Sequence, residues 1–352
     1  MFVRDCWYVA AWDHELEAGK PIGRTLIGEA VVIYRAGTGG LVALADRCCH
    51  RFAPLSLGRV EGDELRCMYH GLKFDRSGRC TEIPGQDMIP ATACVRAYPV
   101  AQKHSWIWVW MGDPAKADER LIPPAISLDD PAWTLRSGYM DYEANYLLIN
   151  DNLTDFTHLS YVHANSFGAT EAFARTRPTV ERLERGVRIW RWMNDGLRDD
   201  APTRVHRRAV GDMWQTYDFL APGVLLMLSA TYPAGTAERF GHGPPDPDAV
   251  QPLAENFTSQ AVTPMTDRTS RYFFSWGPRS GEGSDAVADS MLALAHMAFG
   301  EDKTIIEAQQ RSIELAPGQK EVLTSADVGP MQMRAVLQRL MREEGQAAEA
   351  AA

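Results

Sequence analysis

The sequence predicts an α+β chain: an all-β domain over residues 1–115, then a mixed helix and sheet domain over residues 116–352. Three observations carry this. Residues 1–115 are short apolar runs punctuated by Gly and Pro, the pattern of a small sandwich or barrel. Later segments alternate between helix-like and strand-like runs. The length of 352 residues favours two domains over one.

Residues 30–35 (A-V-V-I-Y-R) and Leu41–Ala45 read as strands joined by a Gly-rich hairpin loop over 36–40. Residues 72–74 and 80–83 flank a second turn, and residues 105–111 (S-W-I-W-V-W-M) form a buried strand closed by Gly112-Asp-Pro114. Pro123-Pro124 and Asp129-Asp-Pro131 mark a connector. Residues 145–164 read as a helix packed through Leu147, Leu148, Leu153 and Phe156. Residues 188–192, 224–228 and 272–276 read as strands. Residues 235–252, rich in Gly, Pro and Asp, read as a long loop of the lid or binding type. Residues 286–315 read as a helix interrupted near Gly300, and Pro330 opens a last helix. The tail over 346–352 has nothing to pack and should fray.

Apolar residues make up 45% of the chain, enough to bury cores and to argue against disorder. A formal charge of -10 argues against nucleic-acid binding through phosphate contacts. The start of the chain carries Arg4 and Asp5 and has no apolar signal segment, and no run is long enough for a membrane helix. The six cysteines lack the spacing of a secreted disulfide scaffold. The expectation is a soluble, cytoplasmic protein.

Half of those cysteines crowd one stretch. Cys48-x-His50 is followed after sixteen residues by Cys67-x-x-His70. Two loops, each with one Cys and one His, suit zinc or a [2Fe-2S] cluster with two Cys on one iron and two His on the other. A second run reads Asp155-x-x-His158-x-x-x-x-His163. Asp155 and His158 adjoin on a helix, but the two histidines stand about 140° apart around an ideal one. They converge on one ion only if the helix is locally distorted or the ion lies to one side. Two His and one carboxylate form the facial triad of non-haem Fe(II) sites. Glu301-Asp302-Lys303, taken alone, reads as a solvated charge cluster.

C-x-H-R…C-x-Y-H-G-L-x-F…G followed by W-V-W-M-G-D-P resembles the Rieske domain of Rieske non-haem iron oxygenases. N-x-x-D-x-x-H-x-x-x-x-H with a late E-D-x-x-x-x-E-x-x-Q resembles their catalytic domain. The resemblance implies that Cys48 and Cys67 hold one cluster iron and His50 and His70 the other. It implies His158, His163 and Asp302 as ligands of a mononuclear Fe(II), with Asn152 near that iron. Asp155 would hydrogen-bond His158 and, in a homotrimer, His70 of a neighbouring subunit. Cys49 departs from the pattern, since the family usually has proline in that slot. E-I-P-G-Q over 82–86 places the chain near the vanillate O-demethylase and toluenesulfonate methyl-monooxygenase subgroup.

The implied function is a terminal oxygenase taking electrons, ultimately from NADH, through a flavin/iron–sulfur reductase. It would use O2 to hydroxylate a methyl or methoxy group on an aromatic acid, a vanillate-like substrate then releasing formaldehyde. Methyl hydroxylation of an arylsulfonate, ring hydroxylation, N-demethylation and a plain iron–sulfur electron carrier are the alternatives. The substrate pocket is expected between about residues 213 and 276, including the 235–252 loop. An acid group would need a cation or hydrogen-bond donors there, such as His206, Arg207, Arg239, His242 or Arg271; taken singly each reads as a surface residue, and none is named as a site.

Overall fold

The structure is a computed structural model that describes residues 1–193 and 211–351. It divides into two units. The first comprises Met1–Pro124, Thr263–Asp267 and Glu343–Ala352; the second comprises Ala125–Val262 and Arg268–Arg342.

The first unit is built from short strands: β1 (Trp7–Trp12), β2 (Ile22–Leu26), β3 (Glu29–Arg35), β4 (Leu41–Ala45), β5 (Arg59–Glu61), β6 (Glu64–Arg66), β7 (Lys73–Phe74), β8 (Cys80–Glu82), β9 (Ala97–Tyr98), β10 (Val100–Lys103) and β11 (Trp106–Trp110). They form three sheets among the described residues, ordered β1-β11-β10, β2-β3-β4-β9 and β5-β6-β7-β8. Every residue of β1 and β11 is buried, so this pair is covered on both faces and reads as continuous apolar sequence. Cross-strand partners Trp7/Trp110 and Trp12/Trp106 also meet ring to ring, adding aromatic contact to the ladder. Both Cys/His stretches flank the β5–β8 sheet, one before β5 and one between β6 and β7. Their cysteines pack into a core containing Val32, Tyr34, Leu44, Leu55, Leu65 and Phe74.

The second unit contains β12 (Arg136–Tyr142), α1 (Tyr146–Thr154), a 3-10 turn (Phe156–His158), α2 (Leu159–Val162), α3 (Ala172–Arg175), β13 (Thr179–Leu183), β14 (Gly186–Met193), β15 (Asp212–Leu220), β16 (Val224–Tyr232), α4 (Thr236–Arg239), β17 (Ala254–Pro264), β18 (Ser270–Pro278), α5 (Ser284–Leu315) and α6 (Val328–Ala351). Its sheet runs β12-β18-β17-β16-β15-β14-β13. Antiparallel register puts Arg191, Gln215, Ser229 and Asn256 side by side across four strands.

Three expectations are corrected by this architecture. The helix expected over 145–164 is broken at Asp155, where the backbone turns extended (φ -129°, ψ 108°). The helix expected over 286–315 with an interruption near Gly300 is continuous through it, because α5 packs along β12 and β18. That packing outweighs the roughly 1 kcal/mol that Gly costs in a helix interior. The tail expected to fray continues α6 to Ala351.

Candidate functional site

Asn145 caps α1 by accepting from Leu147 N–H, and the Asp155 carboxylate caps the next turn by accepting from Thr157 N–H. The break between these helices re-aims the segment after it. His158 ends the 3-10 turn and His163 ends α2, so the five-residue spacing no longer follows one helical spiral. Asp302 comes from α5. It falls in phase with the buried Ala288, Met291, Ala295, Ala298 and Ile306, so it is a carboxylate on an apolar stripe.

The three meet. Asp302 Oδ1 lies 3.1 Å from His163 Nε2 and 3.5 Å from His158 Nε2. One ligand atom from each of the three lies within 4.8 Å of the others. The remaining ring nitrogens are committed elsewhere. His163 Nδ1–H donates to Glu301 Oε2 at 2.8 Å, and His158 Nδ1–H donates to the Asp155 carbonyl. These bonds select tautomers whose Nε2 lone pairs face Asp302, the way a metal-binding histidine is prepared. Burial pushes the His158 imidazolium pKa down, only partly offset by Asp302. At His163 burial acts the same way, but the Asp302 and Glu301 carboxylates prevail and raise it. Two imidazole Nε2 atoms facing a buried carboxylate fit a divalent non-haem iron site, whose binding would displace any proton held at His163.

Asn152 Nδ2 donates to Asp302 Oδ1 at 3.0 Å, so Asn152 stands beside the triad. Asp155 differs from expectation. Its contact with His158 runs through its backbone carbonyl, while its carboxylate accepts from Thr157 N–H and Oγ1–H. A residue ending one helix and capping the next turn has its side chain drawn forward. Glu301 was missed by sequence reasoning: it holds His163 and also accepts from Ser166 Oγ at 2.6 Å. Its signal was adjacency to an in-phase acid, which a charge cluster hides.

A cavity opens onto the triad between the 3-10 turn and one face of the sheet. Phe156, Phe167, Phe173, Met227, Trp276 and Phe299 make it largely apolar. Gln215, Ser229, Thr258 and Gln260 supply its polar points. The 235–252 loop does not line it. Pro244, Pro245 and Pro247 lie with Trp190, Trp214 and Leu228 in a separate groove, and Trp192 Nε1 donates to Gly243 O. Side chains alternate across a strand, so Trp214 and Gln215 look to opposite faces. Of the cations named from the sequence, the three that are described, Arg239, His242 and Arg271, do not line the cavity. Arg239 is exposed over Phe240, His242 is exposed, and Arg271 pairs with Asp141. His206 and Arg207 lie outside the described residues.

The two Cys/His loops share one backbone design. Cys48 N–H donates to Ala53 O and Phe52 N–H returns to Cys48 O; Cys67 N–H donates to Leu72 O and Gly71 N–H returns to Cys67 O. The residue four after each cysteine is left-handed, Phe52 at φ 60° and Gly71 at φ 80°. Gly58 serves a different contact, for a Cβ there would meet the carbonyls of Arg66 and Leu55 at 2.5 and 2.6 Å. Cys48 and Cys67 are buried, while His50 and His70 are exposed with ring centroids 4.5 Å apart. Burial, then the neighbouring Cys67 thiol, pushes the Cys48 thiol up to about 11, so it needs a metal charge to become thiolate. Two inner sulfurs and two outer imidazoles match the ligand asymmetry of a two-Cys, two-His cluster. Cys49 is half-buried against the same core.

A model of the vanillate O-demethylase oxygenase C-terminal domain matches residues 142–343, and a Rieske [2Fe-2S] domain model matches residues 6–99. The chain is 41% identical over 349 residues to the iron–sulfur subunit of the toluene-4-sulfonate monooxygenase system of Comamonas testosteroni, covering 98% of each. It is 32% identical over 366 residues to a vanillate O-demethylase oxygenase subunit from a Pseudomonas species, covering 100% of this chain and 98% of that one. The crystal structure of dicamba monooxygenase bound to dicamba superposes with a TM-score of 0.85 at 32% identity, covering 98% and 99% of the two chains. A Rieske match removes the zinc alternative, and the oxygenase match over the second unit removes the simple electron carrier.

Proposed function

The chain belongs to the Rieske non-haem iron oxygenases, and on that premise we propose that it hydroxylates a methyl or methoxy carbon on an aromatic acid. It is the oxygenase component of a multi-component system, so a separate reductase supplies its electrons. The observation that carries the substrate reading is the apolar cavity ending at His158, His163 and Asp302. An aromatic ring fits such walls, and a substituent at its inner end comes to the triad.

In this reading His158, His163 and Asp302 hold the mononuclear iron, Cys48 and Cys67 one cluster iron, and His50 and His70 the other. When bound, the iron supplies O2 activation and the cluster supplies electrons singly. The chain's own residues do the rest. Glu301 and the Asp155 carbonyl orient the two imidazoles. Asn152 steadies Asp302. Phe156, Phe167 and Trp276 exclude water around the substrate. In the balanced reaction, an aryl methyl group, O2, two electrons and two protons become a benzylic alcohol and water. With a methoxy group the same insertion gives a hemiacetal that collapses to a phenol and formaldehyde.

Identity to the toluene-4-sulfonate relative exceeds that to the vanillate relative and favours aryl methyl over methoxy. The remaining parts of the proposal are a flavin/iron–sulfur reductase oxidising NADH, a homotrimer in which Asp155 faces a neighbour's His70, and a cytoplasmic location. No described helix is long and apolar enough to cross a membrane. The test is turnover of methyl- and methoxy-arenes with reductase and NADH, following formaldehyde, benzylic alcohol and NADH together. NADH loss with no oxygenated product from any arene would overturn the reading.

A further inference from the structure

Arg191 on β14 is 3% exposed, yet no carboxylate pairs with it among the described residues. Its guanidinium has two weak partners, Gln215 Oε1 from Nε at 3.4 Å and Phe173 O from Nη1 at 3.3 Å. Both exceed the roughly 2.7–2.9 Å of a charge-assisted hydrogen bond. Nη2 has no hydrogen-bond partner among the described residues. A buried cation left this way is strongly unfavourable, and folded chains pair or remove such charges. Tyr217 and the Asp155 carboxylate act on the Arg191 charge, but neither hydrogen-bonds it among the described residues. The guanidinium sits over the rings of Phe173 and Phe156, at 5.1 and 5.5 Å. Both rings line the cavity at the triad, as do Gln215 and Ser229, the next residues in the same cross-strand row. Gln215 Nε2 reaches Ser229 Oγ at only 3.4 Å, so this pair is also loosely satisfied. No lysine or arginine lines the cavity directly among the described residues.

We propose that Arg191, with Gln215 and Ser229, is the specificity-determining site for the anionic group of the substrate, an aryl carboxylate or aryl sulfonate whose methyl-bearing end faces His158, His163 and Asp302. This rests on the chain's being an oxygenase of aromatic acids. The oxyanion takes the unused Nη2–H, and the Gln215 amide and Ser229 hydroxyl turn toward its remaining oxygens. Arginine's planar fork suits two oxygens of one group, which lysine's single ammonium cannot match. The flanking phenyl rings keep water out and strengthen the pair.

The test uses the holoenzyme and two matched pairs of probes: 4-methylbenzoate against 4-methylbenzamide, and 4-toluenesulfonate against 4-toluenesulfonamide. Dissociation constants come from calorimetry, without turnover. The wild type should prefer each anion by about 30-fold or more, the lower end of the cost of unpairing a buried charge. Arg191→Met should erase that preference, leave amide binding and the cluster spectrum unchanged, and raise the melting temperature of the substrate-free protein. Arg191→Lys should recover part of the preference. The proposal is overturned if the wild type binds acid and amide alike or binds none of the four. It is equally overturned if Arg191→Met keeps the preference or loses both probes of a pair together. Turnover separates the two readings. Equal product from acids and amides would sink the Arg191 site and leave the oxygenase standing. An Arg191-dependent anion preference with no product from any arene would do the reverse.

Discussion

Glu301 Oε2 accepts a 2.8 Å hydrogen bond from His163 Nδ1, while the neighbouring Asp302 meets the same ring at Nε2, 3.1 Å away. Consecutive acids on one helix thus serve opposite edges of one imidazole. One faces the metal position and the other fixes the tautomer.

Glu301→Gln can still bond His163 but loses the charge that raises the ring's basicity; Glu301→Ala loses both. Removing such a partner typically weakens a metal site by about 10–100-fold. Iron titration of the metal-stripped protein should give that order, wild type tighter than Gln, and Gln tighter than Ala. The cluster spectrum should not change. Equal iron affinity in all three would rule out the positioning role.

Cys48 and Cys49 are adjacent, but Cys48 is the buried one beside Cys67. Cys48→Ser should therefore abolish the visible absorption of the cluster. Cys49→Pro or Cys49→Ala should retain it. Loss of the spectrum in either Cys49 variant would reverse the assignment.

Arg66 binds the Gly71 carbonyl at 2.8 Å and both Glu82 oxygens at 2.9 Å, tying the second Cys/His loop to β8. Its hydrogen bonds, with that of Lys73, hold Glu82 down to about 2, and together with Arg59 do the same for Glu61. A depressed carboxylate pKa stabilises the fold above the unfolded value, near 4.5, and that contribution is lost as pH falls through about 2. The cluster absorption should therefore survive further into that window in the wild type than in Arg66→Met. Superimposable acid titrations of the two proteins would refute the tie.

The Asp155 carboxylate accepts two hydrogen bonds from Thr157 and leaves His158 to the backbone. Asp155→Asn should keep both metals and the local turn, because an amide oxygen still caps it. If Asp155 also faces a neighbour's His70, the variant should reduce its cluster yet form little product. Normal product yield per NADH would dismiss the bridging role.

The route from sequence to site was uneven for physical reasons. The Cys48/His50 and Cys67/His70 loops were legible because each pair is local and its turn needs only a few residues. The Asp302 signal was present as an acid in phase with an apolar stripe, but the charge run around it read as solvent-facing. The broken helix at Asp155 was legible only as a condition that His158 and His163 would impose.

The pocket walls were legible only in part: the interval 213–276 contains Gln215, Met227, Ser229, Thr258, Gln260 and Trp276 but not Phe156, Phe167, Phe173 or Phe299. Assigning them by sequence interval brought in the 235–252 loop, which lies against the opposite face of the sheet. Arg191 gave no signal of its own, as a strand residue among tryptophans whose burial shows only in the fold.

The sequence by itself determined the two metal-binding chemistries and the split into an all-β part and a mixed part, because ligand spacing and residue periodicity are local properties. Only the tertiary structure decided which nitrogen of each histidine is free, that Glu301 stands behind His163, and that Arg191, Gln215 and Ser229 form one buried row. These depend on strand register and helix rotation between segments as many as 138 residues apart. A shift of one residue would turn each such side chain to the other face.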